Sequence, residues 1–394
     1  MLSKRLDIIE PSRTIGISSK VKEMKSQGIE VLNLSVGEPD FNVPEKAKQC
    51  AIESLNNNIT KYDLVPGMTI LREEISKKLL EENNCNYAPD EIVVTSGAKT
   101  ALTNALIALT DPGDEVLLVK PYWVSYSEMA KIVNTTPVVI QTDKANDFKL
   151  TPELLEKYIS DKTKVLLLNN PSNPTGAIYS RDELLAICDV CLKHNIYIVS
   201  DEIYERICFD KEFISIASLS DEIRQITLTI NGFAKSAALT GTRLGYVAAP
   251  KEIIKAITSI QGHLISHPCL AAQFIGYGAL KYCKEDIDNM VKTYKNRRDL
   301  VTSRLNNIEN LSYIYPEGAF YVFIDISKLK NKFKHSESLS SDFCDKLLEE
   351  CKVAIVPGIA FGVDDYVRIS FACSEETFTE ALDRLDTFVQ SIMN

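Results

Sequence analysis

The chain carries one tryptophan, Trp123, and nowhere strings together the roughly 20 apolar residues that a membrane-spanning helix needs. No contact with a membrane is expected. Nor is there a surplus of basic residues. Lysine and arginine number 44 against 54 aspartates and glutamates, giving a formal net charge of −10 and a pI near 5.2. A protein that grips nucleic acid through its phosphates needs the opposite balance. The first residues, MLSKRLDIIEPSR, lack the apolar core of a signal peptide, and Asp7 and Glu10 fit a transit peptide poorly. The ten cysteines are scattered without a small-domain framework, so reduced thiols and a cytoplasmic location are expected.

What is present is a globular balance. Hydrophobic residues make up 45% and charged residues 25% of 394 positions, enough for a large core and for two domains. One cysteine pair has to be weighed against a metal site. Cys188 and Cys191 form a CxxC, followed by His194. The surrounding SRDELLAICDVCLKHN reads as a helix: Ser180 and Glu183 form a capping box, and Leu184, Leu185, Ile187 and Val190 recur at helical spacing. No second ligand pair lies nearby, as a zinc site would want. The cysteines are expected to pack, and no metal is expected.

The pattern along the chain is alternation. EIVVTSG precedes AKTALTNALIALT, DEVLLVK precedes PYWVSYSEMAKIV, KVLLLNN precedes the 180–195 helix, IYIVSD precedes EIYERI, and ITLTIN precedes NGFAKSAALTGTRLGY (231–246). Apolar strands alternating with helical stretches predict an α/β fold, a mostly parallel sheet with helices on both faces. After about residue 275 a long charged helical stretch leads to GAFYVFIDI, VAIVPG and YVRISFA, which predicts a smaller α+β domain. The expected division is an N-terminal arm (1–44) that crosses back to the small domain, a large domain (45–285) and the small C-terminal domain (286–394).

Ligands of open parallel sheets collect outside the carboxyl ends of the strands. There the sequence places Ser96-Gly97-Ala98-Lys99, Tyr122-Trp123, Asn169 to Gly176, Asp201 to Tyr204, Lys235 and Arg243. A lysine enclosed by small side chains loses solvation and shifts toward the neutral amine, which can form a Schiff base with a carbonyl. Alone, Lys235 reads as an exposed strand-end lysine; its neighbours change that. The Ser96-Gly97-Ala98 turn opens a helix and, with Arg243, suits a phosphate, although such a turn by itself is a helix cap. Asp201 ends an apolar strand and needs a partner, such as a ring nitrogen that must stay protonated. Tyr204 can reach the same ring, Asn173 offers an amide between Pro171 and Pro174, and Trp123 offers either a stacking face or core packing. Together they describe a pyridoxal 5′-phosphate site.

SVGEPDFNVP (35–44), KYDLVPGMTILREEI (61–75), TSGAKTAL, PYWVSY, NPSNPTG, SDEIYE, AKSAALTGTRLGY, GAFYVF, VPGIAFG and YVRISFA, in that order, resemble the class I aminotransferases of fold type I. The resemblance is closest to the bacterial and thermophile subgroup of aspartate aminotransferases and covers nearly the whole chain. It implies that Lys235 carries pyridoxal 5′-phosphate and that Asp201 pairs with the pyridine nitrogen. By the same resemblance Asn173 and Tyr204 address the ring hydroxyl, Trp123 stacks on the ring, and Gly97, Ala98 and Arg243 hold the phosphate. Tyr62 would reach the phosphate in a neighbouring subunit, implying a homodimer with shared sites. Arg368, with Gly37 and Asn173, would take the substrate α-carboxylate, and Lys99 with Thr14 the distal one.

The implied activity is transfer of the amino group of an L-amino acid, aspartate first, to 2-oxoglutarate. Two departures stand out: Gly232 where many relatives have serine, and Thr242 where relatives have tryptophan in TGWRIGY. The rival readings are an aminotransferase for aromatic or other neutral amino acids, a carbon–sulfur β-lyase using the same lysine, and a cofactor-sensing module. The last would be expected to append a helix-turn-helix domain, for which the residues before 35 are too few.

Overall fold

A computed structural model of the chain describes residues 4–10, 13–334 and 336–394. The chain enters through a helix, Arg13–Ser26, and a short strand, β1 (Leu32–Asn33). The next seven strands are β2 (Ile92–Thr95), β3 (Glu115–Lys120), β4 (Thr136–Gln141), β5 (Thr163–Asn169), β6 (Tyr197–Asp201), β7 (Thr227–Gly232) and β8 (Gly245–Ala248). They form one sheet in the order β2-β8-β7-β6-β5-β3-β4, in which only β8 runs antiparallel to its neighbours.

The central strands read as unbroken apolar runs because both faces are covered. Val116, Leu118, Val165, Leu167 and Val199 point into a core shared with the helices Ala98–Leu109 and Lys251–Leu264. Leu117, Leu166, Leu168 and Ile198 point the other way, into a core shared with the helix Arg181–His194. Alternation between the faces is the strand period of two. Cys188 and Cys191 are buried in that second core. The capping box of Ser180 and Glu183 is present, and His194 Nε2 lies 2.9 Å from Glu156.

The remaining strands are β9 (Ser312–Ile314), β10 (Tyr321–Asp325), β11 (Val353–Ala354), β12 (Val356–Pro357) and β13 (Tyr366–Ser370). β12-β13-β10-β9 form an antiparallel sheet, and β1 pairs in parallel with β11, Leu32 opposite Val353. This pairing puts the short N-terminal strand beside the C-terminal part of the chain. The helix Arg13–Ser26 packs there too, with Val21 buried against Val31, Leu348 and Ala354. No helix among the described residues is long and apolar enough to cross a membrane.

The structure corrects three local expectations. EIYERI is a turn, in which Asp201 Oδ1 accepts from the Ile203 amide at 3.2 Å, and the segment after β7 is also a turn. In PYWVSYSEMAKIV the helix begins only at Ser125, which leaves Trp123 in a loop. TPVVIQ and GYVA are strands with no counterpart in the expected alternation. TPVVIQ is the sheet edge, where Pro137 removes no ladder hydrogen bond that a neighbour needs.

Candidate active site

A cavity of about 540 Å³ opens at the carboxyl ends of the parallel strands, within the usual range of about 300–1,000 Å³ for small-molecule sites. Asp201 ends β6 and Asn169 ends β5, and both line it. Lys235 and Arg243 come from the turns after β7. The N-terminal segment adds Ser35 to Glu38, and β13 adds Arg368. Residues far apart in sequence are joined because each strand ends at the same side of the sheet.

Lys235 donates from Nζ to the Gly37 carbonyl and stands 5.9 Å from the ring centre of Tyr204 and 5.7 Å from that of Phe320. Burial pushes its ammonium down to about 8, helped by Arg368 and Arg243 and opposed by Glu38 and Asp201. Asp201 is 3% exposed, and Oδ2 accepts the Tyr126 hydroxyl at 2.7 Å. Burial raises its carboxyl to about 6, against the hydrogen bonds from Tyr126 and the Ile203 amide. An acid in this setting gains from a positively charged ring partner.

The anion end is built on the helix Ala98–Leu109. Gly97, with φ +82°, turns the chain into its N-terminus. A Cβ on Gly97 would stand 2.9 Å from Arg243 Nη2, so the guanidinium lies directly over the free amides of the helix start. Arg243 also donates from Nη1 to the Thr240 carbonyl at 2.9 Å. Lys99, the second residue of the helix, is 4.7 Å from the centre of the Trp123 ring and donates to Ser125 Oγ at 3.1 Å. Burial and the neighbouring Arg243 lower its pKa. A helix N-terminus under two cations is an anion site.

At the opposite end Arg368, 3% exposed, donates to Asn173 Oδ1 at 2.8 Å and to the Ser35 carbonyl at 3.1 Å. Its Nε is buried with no hydrogen-bond partner among the described residues, and burial lowers its pKa. The guanidinium stacks 4.1 Å from the Tyr321 ring centre, and the Tyr321 and Tyr204 hydroxyls are 2.9 Å apart. A Cβ on Gly37 would meet the Tyr321 hydroxyl at 2.7 Å, which explains glycine there.

Gly37, Gly97, Ala98, Lys99, Trp123, Asn173, Asp201, Tyr204, Lys235, Arg243 and Arg368 therefore all line one cavity. Tyr62 does not: it is 92% exposed, with its ring edge-on to His267. Thr14 falls in the helix Arg13–Ser26, and its side chain lies outside the described residues. Tyr126 and Tyr321 are site residues that the sequence does not single out. Their signal is a buried hydroxyl needing a partner: Tyr126 follows Trp123 by three residues, and Tyr321 sits in the apolar run FYVFID.

One of the two departures has a steric cause, and the other a local hydrogen bond. A Cβ at Gly232 would meet Gly245 Cα and the Leu244 carbonyl, each at 2.9 Å, so the close approach of β7 and β8 excludes a side chain. Thr242 turns its hydroxyl to the Leu239 carbonyl at 2.9 Å.

The donor set fits pyridoxal 5′-phosphate. A depressed lysine suits the aldehyde, a buried carboxyl the ring nitrogen, and a helix start under Arg243 the phosphate. Comparison with known proteins agrees. The model of the class I and II aminotransferases matches residues 29–385. The aspartate aminotransferase of Bacillus subtilis is 40% identical over 99% of both chains. The crystal structure of the aspartate aminotransferase from Rhizobium meliloti superposes with a TM-score of 0.95 at 38% identity, covering 99% of each chain. That of Thermus thermophilus with maleate superposes with a TM-score of 0.93 at 37% identity, covering 98% of this chain and 99% of that one. A strand-end lysine with its ring acid and phosphate cradle, matched along the full length by these enzymes, places the chain in the class I and II aminotransferase family, as a pyridoxal-phosphate-dependent transaminase of the aspartate aminotransferase type.

Proposed function

We propose that the chain moves the amino group of aspartate to 2-oxoglutarate. One observation carries the choice of substrate: the cavity holds a guanidinium at one end, Arg368 beside Asn173, and an ammonium at the other, Lys99, with Lys235 and Asp201 lining the space as well. Two separated cations suit a substrate with two carboxylates. The related Thermus enzyme was solved with maleate, itself a dicarboxylate.

On this reading Arg368, Asn173 and Gly37 take the α-carboxylate, while Lys99 and Thr14 take the distal one. Gly97, Ala98 and Arg243 hold the cofactor phosphate, Trp123 covers a ring face, and Asn173 and Tyr204 address the ring hydroxyl. When bound, pyridoxal 5′-phosphate supplies an electron sink for the bond broken at the substrate α-carbon. Asp201 keeps the ring nitrogen protonated. Lys235 Nζ, whose ammonium burial pushes down to about 8 in the cofactor-free protein, takes the α-proton as a base and returns a proton as an acid.

The same reading makes the enzyme a cytoplasmic homodimer in which Tyr62 serves the partner's site. It also takes residues 45–285 as the cofactor-binding domain, residues 286–394 as the small domain and residues 1–44 as the arm joining it. A panel of amino donors assayed with 2-oxoglutarate tests the function, with aspartate expected first and glutamate second. Preference for aromatic or neutral donors overturns the aspartate reading. Pyruvate released from cystathionine without any second oxo acid makes the protein a β-lyase.

A further inference from the structure

Five cationic side chains line the cavity: Lys22, Lys99, Lys235, Arg243 and Arg368. Four have polar partners in the site: Ser125, the Gly37 carbonyl, the Thr240 carbonyl, and Asn173 with the Ser35 carbonyl. Lys22 has no hydrogen-bond or ion-pair partner among the described residues. Its orientation is set by its helix, Arg13–Ser26. Val21 is buried against Val31, Leu348 and Ala354, with Ile17 and Met24 packed alongside. Lys20 adds an ion pair to Asp345 at 3.1 Å. Ser19 and Lys22, three residues apart on one helix face, are thereby turned to the cavity. The acids that line the cavity do not neutralise Lys22: Glu38 accepts from Thr240 at 3.0 Å and Asp201 is held by Tyr126.

We infer that Lys22 is a specificity residue for the longer of the two dicarboxylic acids. The inference rests on the proposed reaction, in which one site accepts a four-carbon and a five-carbon acid in turn. Both acids put their α-carboxylates on Arg368, so their distal carboxylates end one methylene apart. Lys99 is fixed against Trp123 and Ser125 and suits one length. Lys22 carries its charge on a flexible four-carbon stem from the other wall and meets the carboxylate that reaches further out.

The test uses two unreactive probes, succinate and glutarate, titrated calorimetrically into the holoenzyme. The Lys22→Ala substitution is on an exposed helix face and is expected to leave the melting temperature unchanged. Glutarate affinity should fall about threefold to fivefold relative to succinate, the size of one solvent-exposed ion pair. Lys22→Arg should restore the ratio, and KM for 2-oxoglutarate should rise with the glutarate dissociation constant. An unchanged ratio, or an equal loss for both probes, overturns the inference while leaving the aspartate reading intact. If wild type binds neither diacid better than butyrate, the aspartate reading falls and takes this inference with it.

Discussion

The Tyr126 hydroxyl donates to Oδ2 of Asp201 at 2.7 Å, and both groups are buried at the end of β6. The Tyr126 hydroxyl and the Ile203 amide are neutral donors and do not replace the water an ionised carboxylate loses, so burial pushes the acid up to about 6 from its ordinary 3.8. Because the folded value is raised, the native state holds the extra proton. Its stabilisation is complete below pH 3.8 and is lost as pH rises through about 6. The gap corresponds to about 3 kcal/mol at most. In cofactor-free protein, Asp201→Asn should therefore be more stable than wild type by about 1–3 kcal/mol at pH 8, with the difference shrinking toward zero by pH 4. Urea unfolding at several pH values measures this. A gain that does not vary with pH would mean the carboxylate is not the source of the strain.

The Lys235 amine, lowered to about 8 by burial and by Arg368, sets a second pH dependence. Capture of pyridoxal 5′-phosphate by the cofactor-free protein needs the neutral amine, so its rate should climb with pH and level off above 8. Borohydride should then fix one reduced adduct, on Lys235. Lys235→Ala should fold, bind the cofactor without covalent attachment and lose turnover. Mass spectrometry that finds the adduct on another lysine overturns the assignment.

Much of the fold and of the site is legible in the amino-acid sequence, and particular residues show why. The ends of β2, β5, β6 and β7 stand out as apolar runs closing on polar residues, which is the pattern a doubly covered parallel sheet imposes. Lys235, Asp201, Arg243 and Asn173 are readable because polar side chains at such ends must face a ligand or each other. What escapes is set by contacts without a local signal. EIYERI has helical spacing but becomes a turn, because Glu205 is drawn away to the buried Lys78 and Asn83 while Asp201 caps Ile203. Tyr321 is indistinguishable from a core aromatic in FYVFID until its hydroxyl is seen 2.9 Å from that of Tyr204.

Tyr62 supplies a prediction about assembly. A tyrosine 92% exposed in one chain, with Leu64 and Leu264 also more than half exposed, is costly to leave to water and suits a second copy. If its hydroxyl serves the partner's cofactor phosphate, Tyr62→Phe should weaken cofactor retention by about 0.5–1.5 kcal/mol, one hydrogen bond. The cofactor dissociation constant gives this value, and sedimentation at assay concentration should show a dimer. A fully active monomer would end the shared-site reading.

If Lys99 takes the distal carboxylate, as proposed, it sets how specific the enzyme is for acidic donors. Its ammonium is held over Trp123 at 4.7 Å and by Ser125 at 3.1 Å, and no carboxylate pairs with it among the described residues. A charge placed and left uncompensated at the site mouth is available to a substrate anion, whereas a lysine that merely supports the phosphate field would act on every donor alike. Lys99→Ala should therefore lower kcat/KM for aspartate by about 10- to 150-fold, the loss of about 1.5–3 kcal/mol of charge-assisted binding. Alanine and phenylalanine should change little as donors, because they carry nothing for Lys99 to meet. A fall shared in proportion by all three donors would reassign Lys99 to the cofactor. In that case the substrate's distal carboxylate would need another cation, and Lys22 would be the remaining one on the cavity wall without a partner among the described residues.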